Sequence, residues 1–247
     1  MTDHHMEREI HAHLSWLGPW VGRGRAPVLL HHDVEARLLV TTYLPGTLVL
    51  GSSYADDPAV HRQAGELLAV LHGQCSVTDD GHEDAVNRKA LAWLDGPHRI
   101  PARTEERLRD EITSWPAPST TLVPTHGDWQ PRNWLVHEGV LRIIDLGRAL
   151  LRPATSDLVR LASQDFLRDP GLEAAFLAGY GGDPRDPETW HRDLVREAIG
   201  TACWAHQVGD DEFEAQGHRM IAAVLDGPAD ELSGPATPRA ARAPAPD

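Results

Sequence analysis

The sequence predicts an α+β fold, in which a small mixed start leads into a mostly helical body with one central β-hairpin. Apolar residues recur at helical spacing through most of the chain, beginning with Ile10, Leu14 and Leu17. Two short extended runs follow this first helix, and extended periodicity returns over residues 121–146. No internal repeat is found. A helical body that carries a single hairpin is therefore the expected architecture.

Capping and turn residues indicate where these elements begin and end. Asp57-Pro58 is a favourable N-cap and first-turn pair for a helix that continues to His72. Glu138-Gly139 separates the two expected hairpin strands, and Pro45-Gly46 marks a turn or linker. The other expected elements are helices over 3–17, 84–95, 104–115, 155–168, 171–180, 187–208 and 210–224, and extended runs over 28–31, 38–44, 134–137 and 140–144.

The composition is that of an acidic globular protein. The 247 residues include 37 acidic and 23 basic side chains, which gives a formal net charge of -14. An acidic surface repels nucleic acid phosphates, so no nucleic acid partner is expected. No stretch approaches the ~18 apolar residues of a membrane span, and the first residues lack the apolar core of a signal peptide. We therefore expect no membrane partner and a cytoplasmic location, and Cys75 and Cys203 alone exclude a disulfide framework.

The chemistry concentrates in one segment around the expected hairpin. His126-Gly127-Asp128 precedes the hairpin, Asn133 follows four residues later, and Asp145 ends its second strand. An aspartate before the hairpin can accept a proton from an attacking hydroxyl, and phosphoryl transfer requires little more of a base than its position. An asparagine oxygen and a second carboxylate supply the hard oxygen ligands that Mg²⁺ prefers. The segment therefore favours metal-assisted phosphoryl transfer.

Residues 121–162 resemble the aminoglycoside phosphotransferase family, the small-molecule branch of the protein-kinase-like fold. The family pattern is His-Gly-Asp-x4-Asn, a hairpin, Ile-Asp-x-Gly/Ala and then Asp-Leu/Ala on the next helix. By this resemblance Asp128 is the catalytic base, and Asn133 and Asp145 are Mg²⁺ ligands. The resemblance also implies that His126 and Asp157 support the catalytic loop.

Weaker matches extend the resemblance beyond the central segment. Protein kinases carry a lysine two positions after the catalytic aspartate, and Gln130 stands there in this chain, which favours a small-molecule acceptor over a protein. Glu9 corresponds to the family glutamate that pairs with the nucleotide-binding lysine, or is a solvated helix charge. Arg148 reaches the phosphates or a catalytic-loop carboxylate, or is an exposed strand-end arginine. For His72 a packed structural role is expected. The four tryptophans that either line an acceptor pocket or belong to the core are Trp129, Trp134, Trp190 and Trp204.

The family places a phosphate-covering loop and a third-strand lysine before the helix that we expect at residues 3–17. Lys89 is the single lysine of the chain and lies in a later predicted helix, so it cannot take that role. The resemblance therefore predicts a truncated N-lobe of one helix and a few strands with the hinge over 1–45, a helical C-lobe over 46–226 and a disordered Pro/Ala-rich tail over 227–247. Either the natural start lies upstream, or the chain is an inactive or degenerate relative.

The resulting functional hypothesis is a phosphotransferase that moves the γ-phosphate of ATP or GTP to a hydroxyl of a small molecule with the help of Mg²⁺. The net charge of -14 is compatible with a cationic acceptor such as an aminoglycoside. One alternative is a non-catalytic kinase-like binding protein, because the nucleotide-binding lysine and phosphate loop are missing. A weaker alternative is a metal-dependent phosphohydrolase that uses His126, Asp128 and Asp145.

Overall fold

The computed structural model describes residues 4–226, so the expected tail over 227–247 lies outside the described residues. Within residues 4–226, helices outnumber strands and most of the strands are short. The α-helices are His5–Ser15 (α1), Gly18–Val21 (α2), Pro58–His72 (α3), His82–Asp95 (α4), Ala102–Ser114 (α5), Val159–Ser163 (α6), Asp165–Arg168 (α7), Pro170–Tyr180 (α8), Pro187–Val208 (α9) and Asp211–Asp226 (α10). The strands are Leu29–Asp33 (β1), Leu38–Thr41 (β2), Thr47–Leu48 (β3), Val77–Asp79 (β4), Thr120–Thr125 (β5), Trp134–His137 (β6), Val140–Ile143 (β7) and Leu150–Arg152 (β8).

The strands form three small antiparallel sheets, in the orders β1-β2, β3-β6-β7 and β4-β5-β8. The hairpin predicted from Glu138-Gly139 is β6-β7, in which Trp134 pairs with Ile143 and His137 pairs with Val140. Glu138 and Gly139 have φ angles of 51° and 74°, as a two-residue hairpin turn of the primed type requires. The central hairpin of the sequence prediction is therefore confirmed.

The α3 helix also begins as its sequence predicts. Asp57 accepts a hydrogen bond from the backbone N–H of Ala59 at 2.8 Å, and Pro58 occupies the first helical position. The helix packs closely against α8. Gly65 permits this approach, since a Cβ atom there would overlap the backbone of Phe176. Close approach of these two helices holds the end of α3, and with it His72, beside the polar segment.

Two separate apolar cores lie in the described part of the chain. The first joins α2, α3, α8 and the β6-β7 hairpin through side chains such as Trp20, Leu68 and Phe176. The second joins α4, α5, α9 and α10 and includes Leu108 and Ile199. Each helix buries one apolar stripe, so two sets of helices produce two cores. Of the residues predicted to be functional, Asp128, Arg148 and Asp157 line a cavity that residues of both sets border.

Several expected elements differ from those observed. The single helix expected over 155–168 is a 3₁₀ turn, Ala154–Asp157, followed by α6 and α7, which are separated at Gln164 (φ -133°, ψ -81°). The apolar periodicity continues through this break, so the sequence does not indicate where the helix is interrupted. The stretch 46–120, expected to be helical, also contains β3 and β4, and β8 follows Asp145. Strands of two or three residues are too short to show a period of two.

The first part of the chain carries an exposed apolar surface. A short helix, α2, follows α1 without having been predicted, and the extended run expected over 38–44 ends at Thr41. On the β1-β2 hairpin, Leu30 is 61% exposed and Leu38 is 45% exposed. Apolar side chains of this hairpin are therefore exposed.

No helix within residues 4–226 is long and apolar enough to cross a bilayer.

Candidate active site

Asp128 lies in the loop between β5 and the 3₁₀ turn Pro131–Asn133, and its side chain is 2% exposed. One carboxylate oxygen accepts hydrogen bonds from Gln130 Nε2 at 2.5 Å and from Arg160 at 2.8 Å. The other oxygen accepts a hydrogen bond from Asn133 Nδ2 at 3.1 Å and forms an ion pair with Arg132. The predicted base is therefore held from four directions.

These contacts keep Asp128 ionised. Burial alone would raise the pKa of Asp128, but the hydrogen bond from Arg132 and the charges of Arg160, Arg132 and Arg148 outweigh it and lower the pKa below its usual value. The carboxylate is therefore a weak base whose contribution to a reaction would come from its position.

Asp157 ties the same loop to the helical body. Its carboxylate accepts hydrogen bonds from the backbone N–H groups of His126 at 2.8 Å and Gly127 at 2.6 Å, and it pairs with His72 Nε2 at 3.1 Å. The other nitrogen of His72 lies 2.9 Å from the Tyr180 hydroxyl. Burial opposes ionisation of Asp157, but His72 and the loop donors lower its pKa below the usual value. Burial and the Asp157 charge raise the pKa of Tyr180 to about 12. The structural role expected of His72 is thus observed.

His126 links the loop to the end of the hairpin. The ring is fully buried, and its Nε2 lies 3.1 Å from the Ile144 carbonyl while its Nδ1 accepts the Asp128 N–H at 3.3 Å. Burial lowers the pKa of His126, so the neutral ring with a proton on Nε2 fits both contacts. The Ile144 N–H in turn donates to the Asn133 carbonyl at 3.1 Å. These bonds hold residues 126, 133 and 144 together across the hairpin.

Gly127 is the one loop position where a side chain cannot be accommodated. Its φ angle is 79°, and a Cβ atom there would overlap the Arg148 carbonyl. A glycine is therefore needed at this position for the segment between β7 and β8 to pass directly over the loop that carries Asp128. This contact also places the Arg148 side of the chain next to Asp128.

Asp145 and Asn133 offer the oxygen atoms that a magnesium ion requires. Asn133 directs its Nδ2 toward the Asp128 carbonyl at 2.8 Å, which leaves its Oδ1 as the end of the amide available to a ligand. Asp145 follows β7 with an exposed side chain, and one of its oxygens accepts the Gly147 N–H at 3.3 Å. Amide and carboxylate oxygens suit Mg²⁺, whose remaining positions are commonly filled by phosphate and water. The described residues contain no group of three or more His, Cys, Asp or Glu side chains that could hold a metal by themselves.

Glu9 lies on α1 beside Asp145. Its carboxylate accepts a hydrogen bond from the backbone of Leu146, and its pKa is raised by burial and by the charge of Asp145. Among residues 4–226 no lysine or arginine forms an ion pair with Glu9, so the family's glutamate–lysine pair is not observed there. Arg148 lines the cavity beside Asp128 and lowers the pKa of that carboxylate, in agreement with a position near the catalytic loop.

The sequence analysis did not identify the two arginines that contact Asp128. Arg132 stands next to Asn133 within the motif itself, so its position could have suggested the contact. Arg160 lies on α6 and comes to the loop through tertiary packing, which left no signal in the sequence. Of the four tryptophans, Trp129 and Trp134 are at most 1% exposed and belong to the first core. Trp190 packs against that core, whereas Trp204, like the edge of Trp129, lines the cavity beside Asp128.

This cavity has a volume of about 460 Å³ and opens directly on Asp128. Its walls come from the catalytic loop on one side and from α4, α9 and α10 on the other. The basic residues that line it are Arg8, Lys89, Arg132, Arg148, Arg152 and Arg160, and the acidic ones are Asp128, Asp157 and Glu197. The cavity is therefore rich in positive charge, although the chain as a whole is acidic.

A helical body, a short hairpin and an Asp–Asn–Asp set define the class of protein-kinase-like phosphotransferases. Residues 2–195 match the phosphotransferase enzyme family (APH), and the chain belongs to this family. No curated protein matches the sequence significantly. The resemblance inferred from residues 121–162 is therefore confirmed, and the chain is a member of a family of small-molecule kinases.

Solved structures of similar fold agree with this assignment. A choline/ethanolamine kinase family protein from Mesorhizobium loti is 21% identical, with a TM-score of 0.62 over 90% of this chain and 78% of that one. Aminoglycoside phosphotransferase APH(4)-Ia in a ternary complex with ADP and hygromycin B is 12% identical, with a TM-score of 0.62 over 92% and 83%. The GDP and kanamycin complex of APH(2")-IIia is 17% identical, with a TM-score of 0.59 over 89% and 82%. The α+β, protein-kinase-like fold class is thus confirmed.

Proposed function

We propose that this chain transfers the γ-phosphate of ATP or GTP to a hydroxyl of a small molecule. The observation that carries the proposal is the set of bonds that holds Asp128, Asn133 and the residue before Asp145 at one end of the hairpin. Asp128 would orient the acceptor hydroxyl and take its proton. We further propose the division into an N-lobe and hinge over 1–45 and a C-lobe over 46–226.

Asn133 and Asp145 would hold Mg²⁺ together with the nucleotide. When bound, the ion would neutralise the charge of the phosphates during transfer. The hydrogen bond from Asn133 Nδ2 to Asp128 supports separate roles for Asp128 as base and Asn133 as metal ligand, because it turns the amide oxygen away from the base. The loop would need no rearrangement to present both groups, since Asp157 already fixes its backbone.

The kind of acceptor is a separate part of the proposal. Two similar structures contain the hydroxylated cations hygromycin B and kanamycin, which would favour an acceptor of that kind. The acidic cleft that would attract such a cation is not observed beside Asp128, where six basic side chains face three acidic ones in the described lining. The proposal therefore extends to a hydroxylated small molecule, and the charge of that molecule is argued below.

A non-catalytic, nucleotide-binding role is the second candidate. It is favoured by the two arginines that occupy both oxygens of Asp128, and by the lack of a described lysine or arginine that pairs with Glu9. An engaged carboxylate does not by itself prevent catalysis, because phosphoryl transfer depends more on position and charge stabilisation than on a strong base.

The decisive experiment combines phosphate transfer with nucleotide binding. In Asp128→Asn, transfer from γ-labelled ATP or GTP to the acceptor should fall by about a hundredfold or more, while nucleotide affinity is retained. In Asp145→Asn, Mg²⁺-dependent nucleotide binding should be lost as well. Asp110→Asn, an exposed substitution on α5, is the matched control. Full transfer by the Asp128 variant would overturn its role, nucleotide binding without any transfer by the natural chain would establish the second candidate, and acceptor-independent phosphate release would indicate a phosphohydrolase.

A further inference from the structure

The cavity beside Asp128 combines a strongly positive wall with carboxylates that are already engaged. Asp157 accepts three hydrogen bonds from the protein, and Asp128 is paired with two arginines. Glu197 lies 3.5 Å from Arg160. The acidic residues therefore leave little negative charge for the remaining basic ones.

Within residues 4–226, Arg8, Lys89 and Arg148 form no ion pair with a carboxylate, although the charge of Arg148 lowers the pKa of Asp128. A fourth basic side chain, Arg152, donates hydrogen bonds to the Thr125 hydroxyl at 3.1 Å and the Arg148 carbonyl at 3.0 Å, and it interacts electrostatically with Asp157. Unpaired cations around one concave, partly enclosed surface attract an anion, because the low-dielectric walls concentrate their field. The cavity is therefore built for a negatively charged group.

The position of this charge separates it from the proposed metal site. Asp128 lines the cavity, whereas Asn133 and Asp145 do not. A nucleotide held by Mg²⁺ must place its phosphates at Asn133 and Asp145. Lys89 on α4 and Arg8 on α1 thus border the side of Asp128 from which an acceptor would approach.

A second, larger cavity of about 820 Å³ adjoins the first. Both cavities are bordered by Arg8, Lys89 and Arg152 and also by Glu197, so three cations and one carboxylate lie along their shared boundary. The larger cavity has apolar side chains such as Val86 and Leu122 on part of its lining, together with charged ones that include Asp79 and Asp193. A molecule that spans the boundary would contact the basic side chains beside Asp128 and the apolar part of the larger cavity beyond them.

We propose that the acceptor is a hydroxylated organic anion, whose carboxylate or phosphate group binds Arg8, Lys89 and Arg152 while its hydroxyl reaches Asp128. This inference rests on the proposed phosphotransferase function. The acceptor oxygen would bond to the γ-phosphorus as the bond to the β,γ-bridging oxygen breaks. The hydroxyl proton would pass to Asp128, and the nucleoside diphosphate would leave with the electron pair of the broken bond.

The single lysine of the chain provides a binding assay that does not depend on catalysis. The rate at which N-hydroxysuccinimidyl acetate acetylates Lys89 is measured by mass spectrometry with four hydroxylated probes. Glycerol phosphate and hydroxybutyrate are the anions, hydroxybutyramide is the neutral probe and choline is the cation. We expect one or both anions to slow acetylation severalfold, whereas the neutral and cationic probes have no effect. Phosphate-only protection would identify a phosphate site, and protection by hydroxybutyrate a carboxylate site.

The same panel is then used as acceptors, with Lys89→Gln compared with Arg88→Gln. Both residues are exposed on α4, but Arg88 lines neither cavity, so its variant should behave as the natural chain. Lys89→Gln should lower kcat/KM for the anionic acceptor about tenfold or more through KM, with the nucleotide KM unchanged. A rise in the nucleotide KM instead would overturn the inference by assigning the cations to the donor.

The two proposals fail in different ways. Transfer to choline or hydroxybutyramide without protection of Lys89 by either anion would overturn the anionic acceptor and leave the phosphotransferase intact. Protection of Lys89 by an anion without transfer to any probe would support the anion site and count against phosphotransfer. Acetylation of Lys89 at an unchanged rate with all probes would reject the anion site.

Discussion

The loop that carries Asp128 and the cavity wall beside it differ in how their charged side chains are paired. Beside the loop, Asp157 accepts hydrogen bonds from two backbone N–H groups and pairs with His72, so that its carboxylate is held by groups of the protein itself. On the wall, Lys89 and Arg148 form no ion pair with a carboxylate among the described residues. Matched polar groups fix a geometry, whereas unmatched ones remain available to a ligand. Under the proposals above, the paired groups would position Asp128, and the unpaired cations would select the acceptor.

The largest effect should come from breaking the matched network of the loop. Replacing Asp157 with asparagine removes the charge that accepts from His126, Gly127 and His72, and leaves buried donors poorly paired. We expect a loss of about 3 kcal/mol in the free energy of unfolding, measured by urea denaturation. Asp110→Asn, which removes an exposed charge on α5, should change it by less than about 0.5 kcal/mol. Equal stability of the two variants would show that the network is not needed for the fold.

The next effect concerns the arginine that links the two regions. Arg160 lowers the pKa of Asp128, so Arg160→Gln should raise that pKa. Because the unprotonated carboxylate would be the active form under the proposed function, the acid limb of the pH profile of kcat/KM should move to higher pH. The exposed Arg103 offers a control, since Arg103→Gln should leave the limb in place. An unmoved limb in the Arg160 variant would mean that Asp128 does not set the acid limb.

The pH dependence of stability should report the buried imidazole of the loop. Burial lowers the pKa of His126, so the unfolded chain binds its proton first as the pH falls. The stability due to the neutral ring is complete above the usual histidine pKa of about 6.5 and is lost below it. We expect the free energy of unfolding to decrease between pH 7 and pH 5, and His126→Gln to reduce that slope. His31→Gln, an exposed substitution on β1, should keep the slope of the natural chain.

The smallest effect is expected where two carboxylates approach each other. Burial and Asp145 raise the pKa of Glu9, which means that its charge opposes folding at neutral pH. Glu9→Gln should therefore stabilise the chain at pH 7, by less than about 1 kcal/mol, and the gain should disappear as acid protonates Glu9. Thermal unfolding at pH 7 and pH 4 measures this difference. Glu7→Gln on the exposed side of α1 provides the comparison, and a stabilisation of equal size there would assign the effect to general surface charge.

The motif that precedes the hairpin could be predicted because its residues are close in the sequence as well as in space. His126, Asp128 and Asn133 lie within one loop, and the structure brings them together with Asp157. The fold class followed from the same segment. Arg160, Lys89 and Arg8 come from α6, α4 and α1, so their assembly depends on packing between helices that no local pattern records. The net charge of -14 was also a poor guide to the cavity, because a sum over the surface does not describe one concave part of it.

The backbone at Asp145 has a consequence for the evolution of this chain. Asp145 has a φ angle of 62°, a left-handed conformation that glycine adopts freely and that costs other residues about 1 kcal/mol or more. A glycine at this position would therefore give a more stable protein without its carboxylate. Random mutation followed by selection for thermal stability alone should favour that replacement, whereas selection for turnover should remove it. The proportion of Asp and Gly at position 145 in two such selected libraries would thus measure the stability that the carboxylate costs against the activity that depends on it.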